Sequence, residues 1–348
     1  MLTRHLYIHI PFCAQICKFC DFKRTKTNDV EMMEKYVNKI INQVKFSSFK
    51  KQYKTIYLGG GTPNLLPNKC LEKLLSFLSQ YLDDQYEFTI ECNPDLINSH
   101  QVEIFKKSKL NRISLGVQST NNSILKEMNR THSIEDVNKS INLLKDFGID
   151  NISCDFIYNL PNETYEDLLN IKKFLSKHKI KHVSIYSLEI KENAILNKEK
   201  YKISNEIEEK KFSFIKKMMT ELGYIRYEVS NWSIGQNYSK HNLAYWKSDS
   251  WKALGFGSHG FEHKTIYQIG GSPKNFYVNK IENLSQKEYY FQILMMGLRL
   301  ESGIDLSINK NMEAYLFFKD KLKNVSIIDN YLKANNIDLL DDILINLI

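Results

Sequence analysis

The chain has 348 residues, 43% of them hydrophobic and 12% aromatic, enough for one large α/β domain with a smaller one beside it and too apolar for a disordered chain. Lys and Arg outnumber Asp and Glu by 48 to 40, a net charge of +8, yet the excess is spread along the chain as solvated surface, and no dense basic block argues for nucleic acid. Six cysteines in so long a chain exclude a disulfide scaffold, no apolar run reaches the ~20 residues of a membrane span, and no leader is visible, so the sequence reads as a soluble, cytoplasmic protein of a reducing compartment.

Strand-like and helix-like stretches alternate from the start. Residues 6–10 read as a strand. Residues 29–46 read as a helix capped by Asn28 or Asp29, with Met33, Val37, Ile40, Ile41 and Val44 along one side. A second strand, 55–58, ends in Gly59-Gly60-Gly61-Thr62-Pro63 and is followed by a helix over 71–82. The third strand, 87–92, ends in Glu91-Cys92-Asn93-Pro94, and a short helix covers 99–108. The fourth, 112–117, ends in Gly116-Val117-Gln118-Ser119; helices over 123–128 and 133–147 follow, the second stopped by Gly148. The fifth strand, 152–158, is closed by Asn159-Leu160-Pro161 and precedes a helix over 165–177. A sixth strand, 182–188, leads to a charged helix over 205–222 and an extended stretch over 224–229. Six βα units in a row imply a parallel sheet, and right-handed crossovers curl it into a partial (β/α)6 barrel whose working residues gather at the carboxyl ends of the strands.

From about Asn231 the pattern breaks. Trp232, Trp246 and Trp251 cluster there, followed by the glycine-rich residues 255–260, a helix over 286–300 and small alternating elements that end in a winged-helix-like stretch over 312–348. The expected organisation is an α/β partial barrel over 1–230 with a smaller C-terminal α+β domain over 231–348.

Cys13, Cys17 and Cys20 follow the first strand with the spacing C-x3-C-x2-C. Thiolates are soft ligands that select iron–sulfur clusters, zinc or copper. Three of them leave one corner of a [4Fe–4S] cluster open, and S-adenosylmethionine (SAM) is a cofactor that can fill it. The same spacing also marks one face of a helix, but Pro11 holds the preceding residue away from helical geometry. Zinc, with His5 or His9 as fourth ligand, stays open at this point. The glycine turn after the second strand lets a ligand approach the backbone, and it lacks the Lys-Ser/Thr ending of a phosphate loop. Glu91, Gln118, Arg130 and Asp155 lie at or after strand ends, where carboxylates suit ribose hydroxyls or an amino group and Arg130 suits a carboxylate. His241-Asn242-Leu243-Ala244-Tyr245-Trp246 sets a histidine beside two aromatics, a composition suited to a flat macrocycle such as haem.

These motifs together resemble the radical SAM superfamily, and within it the family that holds oxygen-independent coproporphyrinogen III dehydrogenase and haem chaperones. The resemblance rests on Tyr7-Ile8-His9-Ile10-Pro11-Phe12-Cys13 ahead of the other two cysteines, the Gly-Gly-Gly-Thr-Pro turn, Glu91-Cys92-Asn93-Pro94, Gly116-Val117-Gln118-Ser119, Asn129-Arg130, residues 155–161 and residues 294–300. It implies that Cys13, Cys17 and Cys20 hold a [4Fe–4S] cluster with SAM at the fourth position. It further implies SAM contacts from Tyr7, Gly60, Gly61, Thr62, Glu91, Gln118, Arg130 and Asp155. Two details separate the branches. The dehydrogenase carries a fourth cysteine two residues after the third, where this chain has Phe22, and an extension ahead of its first strand. The 241–246 motif resembles the chaperone branch, making His241, Tyr245 and Trp246 the expected haem contacts. The implied activity is haem binding and transfer to an acceptor protein, with an electron donor such as flavodoxin a further partner. The alternatives are oxidative decarboxylation of coproporphyrinogen III and a zinc-stabilised nucleic-acid-binding protein.

Overall fold

The computed structural model describes residues 2–347. Six strands, β1 (His5–Ile10), β2 (Tyr53–Gly60), β3 (Leu82–Cys92), β4 (Arg112–Gln118), β5 (Ile152–Tyr158) and β6 (His182–Ser187), lie parallel and side by side in chain order. The register sets Ile8 opposite Leu58 and Leu58 opposite Ile90. These side chains are fully buried on the helix-covered face, so alternate residues such as Tyr7, Tyr57 and Glu91 turn to the concave face. The helices α1 (Val30–Ser47), α2 (Asn68–Leu78), α3 (Ser99–Lys107), α4 (Asn122–Glu127), α5 (Ile134–Asp146) and α6 (Tyr165–His178) make the crossovers. Their starts are set by side chains: Asp29 accepts from the Met32 amide, and capping boxes Ser133/Asp136 and Thr164/Asp167 open α5 and α6.

The parallel sheet does not close on itself. Trp251–Leu254 pairs parallel with β1 and carries three antiparallel strands, His259–Glu262, Thr265–Gly271 and Phe276–Asn283, outward from it. On the far side Asn231–Ser233 pairs antiparallel with β6, and the extended stretch expected over 224–229 shortens to Ile225–Arg226. Residues 231–283 therefore extend the barrel sheet itself. A second hydrophobic cluster begins at Tyr290 and packs the helices Gln286–Gly297, Asn309–Phe318 and Leu340–Ile345 around a three-stranded sheet. Among the described residues no helix is long and apolar enough to cross a membrane.

Candidate functional site

The carboxyl ends of β1 to β6 surround a cavity of about 600 Å³. Cys13, Cys17 and Cys20 line one wall, and all three are free thiols. Their loop is held by backbone bonds on both flanks: Thr25 and Thr27 donate to Pro11 and Cys13 at 2.6 and 3.1 Å, Lys18 donates to Met128, and Leu196 donates to Lys18. Burial pushes the Cys13 thiol up, opposed by the Thr62 hydroxyl, and pushes Cys20 to about 11.

The glycine turn comes within contact of this loop. The Gly61 amide donates to the Ile10 carbonyl at 2.8 Å, and a Cβ on Gly61 would stand 2.7 Å from the Phe12 carbonyl oxygen and 2.9 Å from Cys13 Sγ. Gly60 takes φ +115°, open only to glycine, and its Cβ would strike the His9 ring. His9 is buried, with Nε2 2.7 Å from the Lys23 carbonyl and Nδ1 3.1 Å from the Tyr7 hydroxyl. Burial lowers its pKa to about 4. Both nitrogens serve the fold, which removes His9 as a fourth metal ligand. His5 lies at the other end of β1, about 17 Å from Ile10 at the usual strand rise, and bonds Thr55. Among the described residues no three His, Cys, Asp or Glu side chains converge on a single ion.

Two half-buried carboxylates line the same cavity. Glu91 accepts from the Tyr57 hydroxyl at 2.8 Å and the Gly60 amide at 3.0 Å, and burial lifts its carboxyl to about 7. Asp155 accepts from Ser114 at 2.8 Å, and burial raises it above the ordinary carboxylate range despite its Ser184 and Ser114 donors. Gln118, at φ +67°, stores backbone strain at this rim. Arg130 ties three elements together, donating to Cys17 Sγ at 3.3 Å, Asn93 Oδ1 at 2.8 Å and the Gly116 carbonyl at 3.0 Å, while its Nε is buried without a partner. One of its partners is thus a cysteine sulfur, a contact the sequence reading did not include.

The cavity brings together the three cysteines with Gly60, Gly61, Thr62, Glu91, Gln118, Arg130 and Asp155. Tyr7 is not in its lining; its hydroxyl is turned to His9. Of the 241–246 motif, Asn242 reaches this lining while His241, Tyr245 and Trp246 do not. The motif forms a short helix, Lys240–Trp246, at the amino ends of β2 and β3, where Glu87 accepts from the Lys240 and His241 amides at 2.9 and 3.0 Å. His241 is buried, with Nδ1 2.6 Å from Thr55 Oγ1 and Nε2 2.7 Å from the Tyr245 hydroxyl, and its ring stacks on Tyr57. Both nitrogens are engaged within the fold, and this helix plugs the floor of the barrel. Trp246 keeps an unpartnered, buried Nε1 beneath the Arg299 guanidinium. The sequence reading missed Tyr57, Ser114 and Ser184 in the lining and set Asn242 only in the aromatic motif. The period-2 alternation along β2, β4 and β6 is the signal that marks the first three as inward-facing.

A thiol loop after the first strand of an open parallel barrel, sharing one cavity with half-buried carboxylates and a glycine turn across the strand ends, defines a radical SAM protein. A profile described as the Radical SAM superfamily matches residues 7–175. The chain is 34% identical over 315 residues to "Heme chaperone HemW" of Lactococcus lactis subsp. lactis, covering 86% of this chain and 82% of that one. It is 29% identical to the protein of the same name from Bacillus subtilis, covering 86% and 84%. Among solved structures, coproporphyrinogen III oxidase (HemN) from Escherichia coli, described as a radical SAM enzyme, aligns with TM-score 0.80 over 99% of this chain and 90% of its own, at 18% identity, a likeness of fold alone. The chain belongs to the HemW family of the radical SAM superfamily.

Proposed function

We propose that this chain is a haem chaperone that binds haem, carries a SAM-ligated [4Fe–4S] cluster and passes haem to an acceptor protein. The carrying observation is its 34% identity, over 86% of its length, to a protein named as a heme chaperone. Phe22, which lines the cavity where the dehydrogenase branch has a further cysteine, agrees with it. The donor set fits a four-iron cluster. Three unpaired thiols line one cavity, a guanidinium meets one of them, and a backbone glycine approaches too closely to leave room for a side chain.

In this reading Cys13, Cys17 and Cys20 hold the cluster. Gly60, Gly61 and Thr62 offer backbone and hydroxyl groups to the amino-acid end of SAM. Glu91 and Asp155 present acceptors to its amino and ribose groups, and Arg130 with Gln118 closes the rim. When bound, the cluster supplies an electron for reductive cleavage of SAM. The residues themselves keep the cysteine loop fixed and hold two carboxylates at the cavity wall for the ligand to pair. Six free cysteines suit a cytoplasmic, reducing setting. A flavodoxin-type electron donor and an unidentified haem acceptor complete the proposed partners.

The shared fold with HemN favours one second reading, oxidative decarboxylation of coproporphyrinogen III. The test is anaerobic, cluster-loaded protein titrated with haem, then given SAM, dithionite and coproporphyrinogen III. Saturable haem binding without protoporphyrinogen formation is the expected result. Turnover of coproporphyrinogen overturns the chaperone reading in favour of the enzyme.

A further inference from the structure

A second concavity, of about 860 Å³, lies between α1 and the antiparallel strands that extend the sheet, and it shares no lining residue with the cysteine cavity. Its size falls within the range of small-molecule sites. Leu254 and Ile269 form a buried floor. Around them, apolar side chains are left open to water: Phe46 is 92% exposed, Ile281 64% and Val278 47%. Apolar side chains gathered at one concave surface mark an interaction site.

Charge narrows the occupant. Lys35, Lys39 and Lys252 line the groove against one carboxylate, Glu262, which already accepts from Thr3 and Tyr267. Lys35 pairs with Glu31 at the surface. Neither Lys39 nor Lys252 has an ion pair among the described residues: Lys39 reaches Asn275 Oδ1 at 3.4 Å and lies over the Phe276 ring, and Lys252 donates to the Ser47 carbonyl. Lys39, without a carboxylate partner, and Lys252, with Glu262 beside it, put cations next to open apolar surface and complement a flat apolar molecule that carries carboxylates. The outer strand Phe276–Asn283 carries a Lys280–Glu282 ion pair, a charge feature that blunts pairing with another chain's strand.

We propose that haem docks in this groove, its macrocycle against Phe46, Val278 and Ile281 and its propionates toward Lys39 and Lys252. The proposal rests on the haem-chaperone reading and locates its cargo away from the SAM site. The groove offers no His, Cys or Met. Haem held there keeps its iron free of such ligands, and the open side of the groove leaves it within reach of an acceptor.

The test uses anaerobic, cluster-loaded full-length protein titrated with haem and, in parallel, with haem dimethyl ester, whose carboxylates are blocked. Val278→Asp with Ile281→Asp, at exposed positions, should weaken haem binding at least about tenfold while iron content and SAM binding stay at wild-type levels. Lys39→Glu should weaken haem binding several-fold and leave ester binding unchanged. If wild type binds haem and these variants bind it equally, the groove assignment is overturned and the chaperone reading stands. If wild type binds no haem, both fall. If sedimentation shows that the double variant breaks a wild-type dimer while haem binding is unaffected, the groove is an interface between copies and not a haem site.

Discussion

Replacing Glu91 with glutamine separates the cost of a buried charge from the need for it. Glu91 sits behind Tyr57 and Gly60, and burial lifts its carboxyl from 4.5 to about 7. The unfolded chain ionises near the ordinary value. Between those two pH values the folded state binds a proton that the unfolded state has lost, so stability falls as pH rises through this window. Each pKa unit corresponds to about 1.4 kcal/mol, and the unfolded carboxyl is already partly ionised at about pH 5. Wild type should therefore lose about 2 to 3 kcal/mol relative to Glu91→Gln between about pH 5 and about pH 8.5. Urea unfolding of the two cluster-free proteins at both pH values measures this. On cluster-loaded protein at the higher pH, the same substitution should weaken SAM about tenfold or more, because a charge-assisted hydrogen bond is worth about 1.5 to 3 kcal/mol. A stability difference that does not change with pH would refute the buried-charge argument, and an unchanged SAM affinity would take Glu91 out of the SAM site.

Gly61→Ala places a Cβ 2.9 Å from Cys13 Sγ and 2.7 Å from a backbone oxygen that cannot yield, so iron loading after anaerobic reconstitution should fall well below wild type; full loading would contradict the close approach. Arg130→Gln removes the guanidinium from Cys17, Asn93 and Gly116, and should cost about 1 to 3 kcal/mol of stability and speed cluster loss on gel filtration, read as iron per chain. His241→Ala leaves the Tyr245 hydroxyl without its partner, leaves Thr55 with His5 alone, and opens a void beneath Tyr57. Thermal unfolding should show a loss of about 2 to 4 kcal/mol, with haem bound per folded chain unchanged. A selective loss of haem in that variant would identify His241 as a haem contact.

The order of the six strands was legible because the core strands alternate helix-facing and inward residues and four of them, β1, β2, β3 and β5, run into glycine, proline or asparagine. Edges were less legible. β3 starts at Leu82, before its expected start at residue 87, because Asp83, Asp84 and Gln85 prolong the strand with polar, outward residues that carry no burial signal. The pairing of Trp251–Leu254 with β1 joins segments more than two hundred residues apart, and nothing local in four residues announces it. The cysteine cavity was legible in its ligand types and in Arg130, but not in the contact of Arg130 with Cys17, which depends on how α4 ends beside the loop. The 241–246 motif was legible in composition but not in placement. A histidine beside aromatics suits a macrocycle, but it suits a buried plug equally well, and the Glu87 carboxylate that seats the helix lies about a hundred and fifty residues earlier.

The most direct test of the account is one anaerobic preparation assayed for iron, SAM and haem on the same sample, alongside a variant with Cys13, Cys17 and Cys20 all replaced by serine. The account requires about four irons per wild-type chain, SAM binding that depends on that iron, and saturable equimolar haem that the serine variant retains. Protein that takes up the cluster and SAM but binds no haem at saturation would contradict it.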